Sequence, residues 1–179
     1  MDFVFPNGNE EEFVRMAKKL GYDSLCFVYN MKNFKKFDSK EIKVYTAILE
    51  DRNFDRAKQM ANFVIAKADD SVRGIIEARK AKFIFGFEEN GRRDFTHYRN
   101  SGLNQVLCKL MNEKEIGYFV SVKELIEADD PQFIGRVMQN IRFCEKFKVK
   151  VAFGSFATTL FEMKGANDVL SLRKVLGAQ

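Results

Sequence analysis

Tryptophan is absent from the 179 residues, and histidine occurs once, at His97. A single imidazole excludes a barrel-borne metal centre of the multi-histidine phosphoesterase kind, because such centres draw several imidazoles to one ion. His97 therefore reads as a stacking or hydrogen-bonding residue rather than a catalyst. Cysteine is sparse too: Cys26, Cys108 and Cys144 are odd in number, far apart and set in apolar patterns. They point to buried thiols in a reducing compartment, not to a disulfide frame or a zinc site. Cys–His catalysis would need a thiol at a working surface, which these patterns do not offer. No G-x-G-x-x-G, no G-x-x-x-x-G-K-S/T and no G-x-S-x-G elbow occurs, so nucleotide-cofactor and serine-hydrolase sites are unsupported. No stretch reaches the ~20 apolar residues of a bilayer-spanning helix. The acidic start opens at once as a strand and does not look like a secretory leader. The expectation is a soluble, cytoplasmic protein with no membrane contact.

What is present is an ordinary globular balance, 46% hydrophobic and 31% charged, of a length that suits one domain over residues 1–179. Nineteen phenylalanines against no tryptophan is a skew for which the sequence offers no physical reason. The net charge is +5, and its distribution says more than its size. Residues 1–130 hold 22 basic and 22 acidic side chains and cancel, whereas residues 131–179 hold 8 against 3. Such asymmetry favours a polyanionic partner.

Strand and helix patterns alternate without a linker, a low-complexity segment or an internal repeat. Strands are expected at residues 2–6, 24–29, 43–49, 61–66, 82–87, 117–122 and 149–153. Several are continuous apolar runs, as parallel strands buried on both faces should be. Asn9, with Glu12 three residues on, suggests a capping box for a first helix that Gly21 ends. Short helices are expected at 54–60, 71–80 and around Leu125. Asp130-Pro131 opens a long helix to about residue 147, with Ile134, Val137, Met138, Ile141 and Cys144 inward. Asn167 is expected to cap a last helix whose inner side is Val169, Leu172, Val175 and Leu176, stopped by Gly177. Seven mostly parallel strands with right-handed crossovers give an α/β fold, an irregular TIM-barrel-like ring, with an open doubly wound sheet as the alternative.

The stretch with most chemistry is 92–111. Arg92, Arg93, His97, Tyr98 and Arg99 put three fixed cations and two stacking groups within eight residues. Ser101 and Gly102 then open an expected helix with Leu103, Val106, Leu107, Leu110 and Met111 on one face. A planar guanidinium pairs with phosphate and stacks on bases, and aromatic rings interleaved with cations suit RNA loops. Glu88, Glu89 and Asp94 beside it would suit no more than a hydrated Mg²⁺ of the kind common near RNA. No set of residues forms a self-sufficient catalytic or metal site. An alternative is a stand-alone barrel enzyme whose Arg92, Arg93 and Arg99 hold the phosphate of a small molecule.

Four stretches in fixed order, RNSGLNQVL at 99–107, GYFVSVKELI at 117–126, EKFKVKVAFGSFA at 145–157 and MKGANDVLSLRKVLG at 163–177, resemble the ribonuclease P protein component 3 family, an archaeal subunit related to a eukaryotic one. The resemblance covers nearly the whole chain from Asp2. It implies a barrel-like subunit that pairs with protein component 2 and sits on the catalytic RNA of a particle that removes the 5′ leader of precursor tRNA. The RNA, with its Mg²⁺, would carry the chemistry, and this chain would hold no cofactor. Cationic positions implicated in the family fall on Arg73, Arg99, Lys114 and Lys164 for RNA, and on Lys146 for RNA or the protein partner. Two departures stand out: Arg99-Asn100-Ser101 where the family has R-K-D, and Lys164-Gly165-Ala166 where it has Arg-x-Pro. The second replaces a bidentate fork by a point charge.

Overall fold

Seven parallel strands follow one another around a ring, each returned by a helix or a turn on the outside. The structure, a computed structural model, describes residues 1–50, 52–89 and 93–178. The strands are β1 Asp2–Val4, β2 Ser24–Asn30, β3 Lys43–Leu49, β4 Phe63–Lys67, β5 Phe83–Phe85, β6 Gly117–Ser121 and β7 Val151–Gly154. The helices are α1 Glu10–Lys19, α2 Phe54–Met60, α3 Val72–Glu77, α4 Gln105–Glu113, α5 Val122–Glu127, α6 Pro131–Lys146 and α7 Ala166–Leu176.

Strand β7 stops short of β1, and residues 155–157 complete the ring. Ala157 bridges Val4, the Phe5 N–H donates to the Ala157 carbonyl at 2.8 Å, and the Phe156 N–H donates to the Phe3 carbonyl at 2.9 Å. The buried Asp2 carboxylate spans the same seam. It accepts from the Ser155 N–H at 2.6 Å, from the Ser155 hydroxyl at 2.8 Å and from the Phe3 N–H at 2.8 Å. Burial pushes the Asp2 carboxyl above its ordinary range, against the pull of those hydrogen bonds. The chain is thus a nearly closed barrel rather than an open sheet.

The phenylalanine excess now has a cause. Alternate strand residues face the lumen, and the register sets Phe3 beside Cys26, Ala47 beside Phe63, Ile65 beside Phe83, and Phe119 beside Ala152. A ring of seven strands is narrow enough for side chains to fill, and phenyl rings do most of the filling. Phe119 meets Phe3 edge-on at 4.8 Å and stacks on Phe156 at 4.4 Å, and Phe156 meets Phe85 edge-on at 5.3 Å. Each such pair adds about 0.5–1.5 kcal/mol beyond the burial of its rings. Gly154 makes room: a Cβ there would lie 2.7 Å from the Phe119 ring and 2.9 Å from the Phe3 Cβ.

The outer core, between sheet and helices, differs from expectation at several points. Asn9 precedes α1 but does not cap it, since its Oδ1 accepts from the Asn7 N–H instead. Helix α4 begins at Gln105, four residues late, because Asn104 Oδ1 takes the Leu107 N–H. Its buried side chains are Cys108 and Met111, while Val106 is exposed. In α6, Ile134 is exposed and the buried set includes Arg136 and Asn140. In α7, Gly165 rather than Asn167 precedes the first turn, and Val175 is exposed. The three cysteines are free and buried.

Five helices end in the same hydrogen-bonded turn. At α1 the Tyr22 N–H returns to the Ala17 carbonyl and the Gly21 N–H to the Lys18 carbonyl, the pattern that needs a left-handed residue. Gly21 and Gly177 fill that position after α1 and α7, but Arg79, Glu115 and Lys148 fill it after α3, α4 and α6, at φ +50°, +55° and +57°. Each non-glycine residue there costs about 1 kcal/mol relative to glycine.

Because the lumen has no slack at Gly154, Gly154→Ala is expected to lower stability by about 1–3 kcal/mol through overpacking. A urea midpoint equal to that of the wild type would show that the rings have room to move.

Candidate nucleic-acid interface

The loop between β5 and α4 is held by one face of α6. Gly86, at φ +77°, turns the chain out of the ring after Phe85, and one tight turn, Phe87–Glu89, follows. On α6, Arg136, Gln139 and Asn140 are three and four residues apart and so share a face. Arg136 Nε donates to Asp94 Oδ1 at 2.8 Å and its Nη1 to the Glu88 carbonyl at 3.3 Å. Gln139 Nε2 donates to the Arg99 carbonyl at 2.8 Å and to the Ser101 hydroxyl at 2.9 Å. Asn140 Nδ2 donates to the Ser101 carbonyl at 2.8 Å. Asp94 accepts the Asn100 N–H at 2.9 Å as well. Burial acts to raise the Asp94 pKa, but Asn100 and Arg136 outweigh it and hold the carboxyl below its ordinary range. Gly102, at φ +84°, passes beneath Phe87, where a Cβ would lie 2.1 Å from the carbonyl oxygen.

These anchors aim the exposed side chains. Arg99 lies against the helix at Gly135, where a Cβ would fall 2.3 Å from its Nε. Phe95 and Tyr98 stack on each other at 4.4 Å, both more than half exposed. His97 and Arg93 are exposed on the same loop. The surroundings are mixed in charge rather than basic. A cleft of about 620 Å³ beneath the loop is lined by Tyr98, Arg99, Asn104 and Gln139 but also by Asp69 and Asp70. A neighbouring cleft of about 520 Å³ is lined by Lys67 and Arg136 with Glu88, Glu89, Glu124, Glu127, Asp129 and Asp130.

The sequence-derived cations do not form one site. Arg73 lies in the first turn of α3, at the end of the barrel that carries this loop, and its Nε pairs with Glu77 at 2.8 Å. Arg93 and Arg99 are on the loop itself, and Arg92 lies outside the described residues. Lys114 follows α4 directly and Lys146 ends α6, so both are at the opposite rim, where strands begin; the Lys146 ammonium sits 5.6 Å over the Phe147 ring. Lys164 is half-buried, and its carbonyl accepts the Tyr22 hydroxyl at 3.0 Å, close to the end of α1. Gly135, Arg136, Gln139 and Asn140 were missed. Their signal was available in outline: three polar residues at helical spacing beside Val137 and Ile141, on a face otherwise committed to the core.

The acidic residues near the loop have other work. Tyr118 donates to Glu88 Oε2 at 2.9 Å and Asn140 Nδ2 reaches the same oxygen at 3.4 Å. Burial pushes the Glu88 pKa up to about 7. Burial, with Glu89 and Glu88 nearby, pushes Glu124 up to about 7 as well, and its Oε2 has no hydrogen-bond partner among the described residues. Among those residues no group of three or more acidic, histidine or cysteine side chains is placed to hold a metal ion.

No family model matches the chain. A ribonuclease P protein component 3 from Methanosarcina barkeri (strain Fusaro / DSM 804) is 27% identical over 99 residues, which cover 51% of this chain and 41% of the relative. The matched region thus spans less than half of the curated relative. A chain in the cryo-EM structure of archaeal ribonuclease P with mature tRNA superposes with a TM-score of 0.78 at 20% identity, covering 99% of this chain and 82% of that one. A. niger ochratoxinase superposes with a TM-score of 0.57 at 11% identity, covering 98% and 66%. At those identities the structures establish the barrel fold, while the curated relative bears the family name that the sequence resembles.

The raised Glu88 pKa has a signed consequence. The folded chain holds this proton more tightly than the unfolded chain, whose glutamate titrates near 4.5. Stability from Glu88 is therefore full below that value and is lost as pH rises through about 7, by about 3 kcal/mol in all. Glu88→Gln is expected to flatten the fall in urea midpoint between pH 5 and pH 8, and an undiminished fall would assign it to other groups.

Proposed function

We propose that this chain is a protein subunit of ribonuclease P, the ribonucleoprotein endoribonuclease that removes the 5′ leader of precursor tRNA in the cytoplasm. In this reading it supports the catalytic RNA together with protein component 2 and is not itself the catalyst. The carrying observation is a convergence: a relative named for that subunit matches by sequence, and a chain of an archaeal ribonuclease P particle matches over 99% of the residues by shape. Mg²⁺ belongs to the RNA here, and this chain supplies fixed cations and stacking rings. Arg99, Arg93 and Arg73 approach phosphates from the loop end, with Phe95 and Tyr98 as a platform for an unpaired base. Lys114, Lys146 and Lys164 are assigned to RNA or, for Lys146, the protein partner.

The stand-alone enzyme reading loses ground on one feature. Barrel enzymes keep their reacting groups at the mouth where strands end, and here the Phe85 ring at the end of β5 meets Phe156, which stacks on Phe119 of β6. Cations on the outer loop are better placed for a large surface than for a small molecule enclosed in the ring.

Gly135 makes a sharper test possible than removal of charge alone. Arg99→Ala is expected to lower precursor-tRNA cleavage by the reconstituted particle about tenfold, the worth of one good phosphate contact, without loss of fold. Gly135→Ala keeps the arginine but displaces its guanidinium, while a mid-helix alanine adds up to about 1 kcal/mol of helix stability. Cleavage should fall in a protein that melts no lower. Full activity in both variants, or leader removal by the isolated polypeptide, would overturn the reading.

A further inference from the structure

The end of the barrel opposite the loop carries a denser positive charge than the loop end does. Two clefts adjoin there, of about 410 and 260 Å³, where β5, β6 and β7 begin. Lys82 and Glu115 line both, so the two clefts are neighbours on one rim. Lys58, Arg79 and Lys80 line the first, and Lys148 and Lys150 the second. Glu115 is the one carboxylate among the described lining residues, and it serves the cations around it. Its carboxylate pairs with Arg79, and its carbonyl accepts the Lys82 ammonium at 3.1 Å.

The backbone supplies an independent observation. The turns into β5, β6 and β7 place Arg79, Glu115 and Lys148 in the left-handed conformation that α1 and α7 give to Gly21 and Gly177. The fold itself favours glycine at each, so what these three residues add lies in their side chains, and all three are charged and line these clefts. Neutralising the helix dipole does not account for the choice, since one of the three is a glutamate.

We propose that this rim is a second contact surface for the phosphate backbone of RNA, with Arg79, Lys80, Lys82, Lys148 and Lys150 as its cations. The proposal rests on the ribonuclease P reading. Lysine is depleted from protein–protein interfaces and abundant against phosphates, which favours RNA over an acidic protein. Successive strands are ~4.8 Å apart, so side chains entering from β5 to β7 span about 10 Å, enough to meet several phosphates at once.

The test uses the full chain and a ribonuclease P RNA. Arg79→Gly/Lys148→Gly gives both turns the residue their conformation favours, so the melting temperature should hold or rise. RNA affinity at 0.1 M salt should nevertheless fall on the order of tenfold, and the slope of log K against log salt should shrink by about two. Lys82→Gln/Lys150→Gln, which alters no left-handed turn, should show the same loss. Unchanged affinity and slope in both pairs would overturn the proposal. If Arg99→Ala weakens binding while both rim pairs do not, the subunit reading stands and the rim proposal falls. If the wild type binds no RNA, the subunit reading itself fails. Displacement of the RNA by polyglutamate at matched charge would overturn it in favour of an acidic protein partner.

Discussion

One carboxylate closes this barrel. A seven-stranded parallel sheet tends toward an open, twisted blade unless its edges meet, and here the edges meet through Asp2. The side chain takes the Ser155 N–H and hydroxyl at 2.6 and 2.8 Å, where a longer β7 would have made ladder bonds. Two backbone bonds beside it, from Phe5 to Ala157 and from Phe156 to Phe3, continue the ladder. The buried charge is costly, which is why it needs three donors. What it secures is the lumen. With the seam shut, Phe3, Phe119 and Phe156 pack together in one buried cluster, and the strand ends that carry the loops are held at fixed positions.

Local pattern made the strands legible, whereas long-range pairing did not show in it. All seven strands were placed to within a few residues, because continuous apolar runs bounded by turns leave little else for the chain to do. The barrel-like ring was expected ahead of an open sheet, but the seam that closes it was not legible, since it depends on Ser155 meeting Asp2 across 153 positions. The span of helix α6 was legible, but two of its buried residues were not, for a related reason. Periodicity treats Arg136 and Asn140 as solvent-facing, yet their partners come from a loop some 40 to 50 residues upstream. The phenylalanine skew was visible as a count and became physical only when the register put those rings in one narrow space.

The candidate site shows the same division. Cations on the 93–99 loop could be named from composition, but their aim comes from residues that carry no signal of chemistry. Gly135 is the clearest case. As an interior helix glycine it looks like a weakness, and it serves as the floor on which the Arg99 guanidinium lies. Arg79 and Lys148 are the converse. As charged residues after a helix they look like ordinary dipole complements, and only their positive φ sets them apart. Turn prediction seeks glycine at such positions and passes over a sequence that declines it.

Net charge must then be counted by place. The basic excess sits in the last quarter of the chain, which favoured a polyanionic partner. Folding disperses that excess. Arg136 is buried against Asp94, the Arg173 guanidinium lies 5.6 Å over the Phe153 ring, and Lys146 sits over Phe147. Lys148 and Lys150 reach the rim, where they join Arg79, Lys80 and Lys82 from residues 1–130, the segment that is neutral overall. The loop end, rich in arginine, is diluted by Asp69, Asp70, Glu89 and Asp130. A surface of mixed sign favours oriented contacts, in which each guanidinium is held by a neighbour, whereas a lysine rim favours diffuse attraction that salt weakens. On the proposed reading, the two ends of the barrel would serve different parts of recognition: the rim to draw a polyanion in, the pinned loop to set its register.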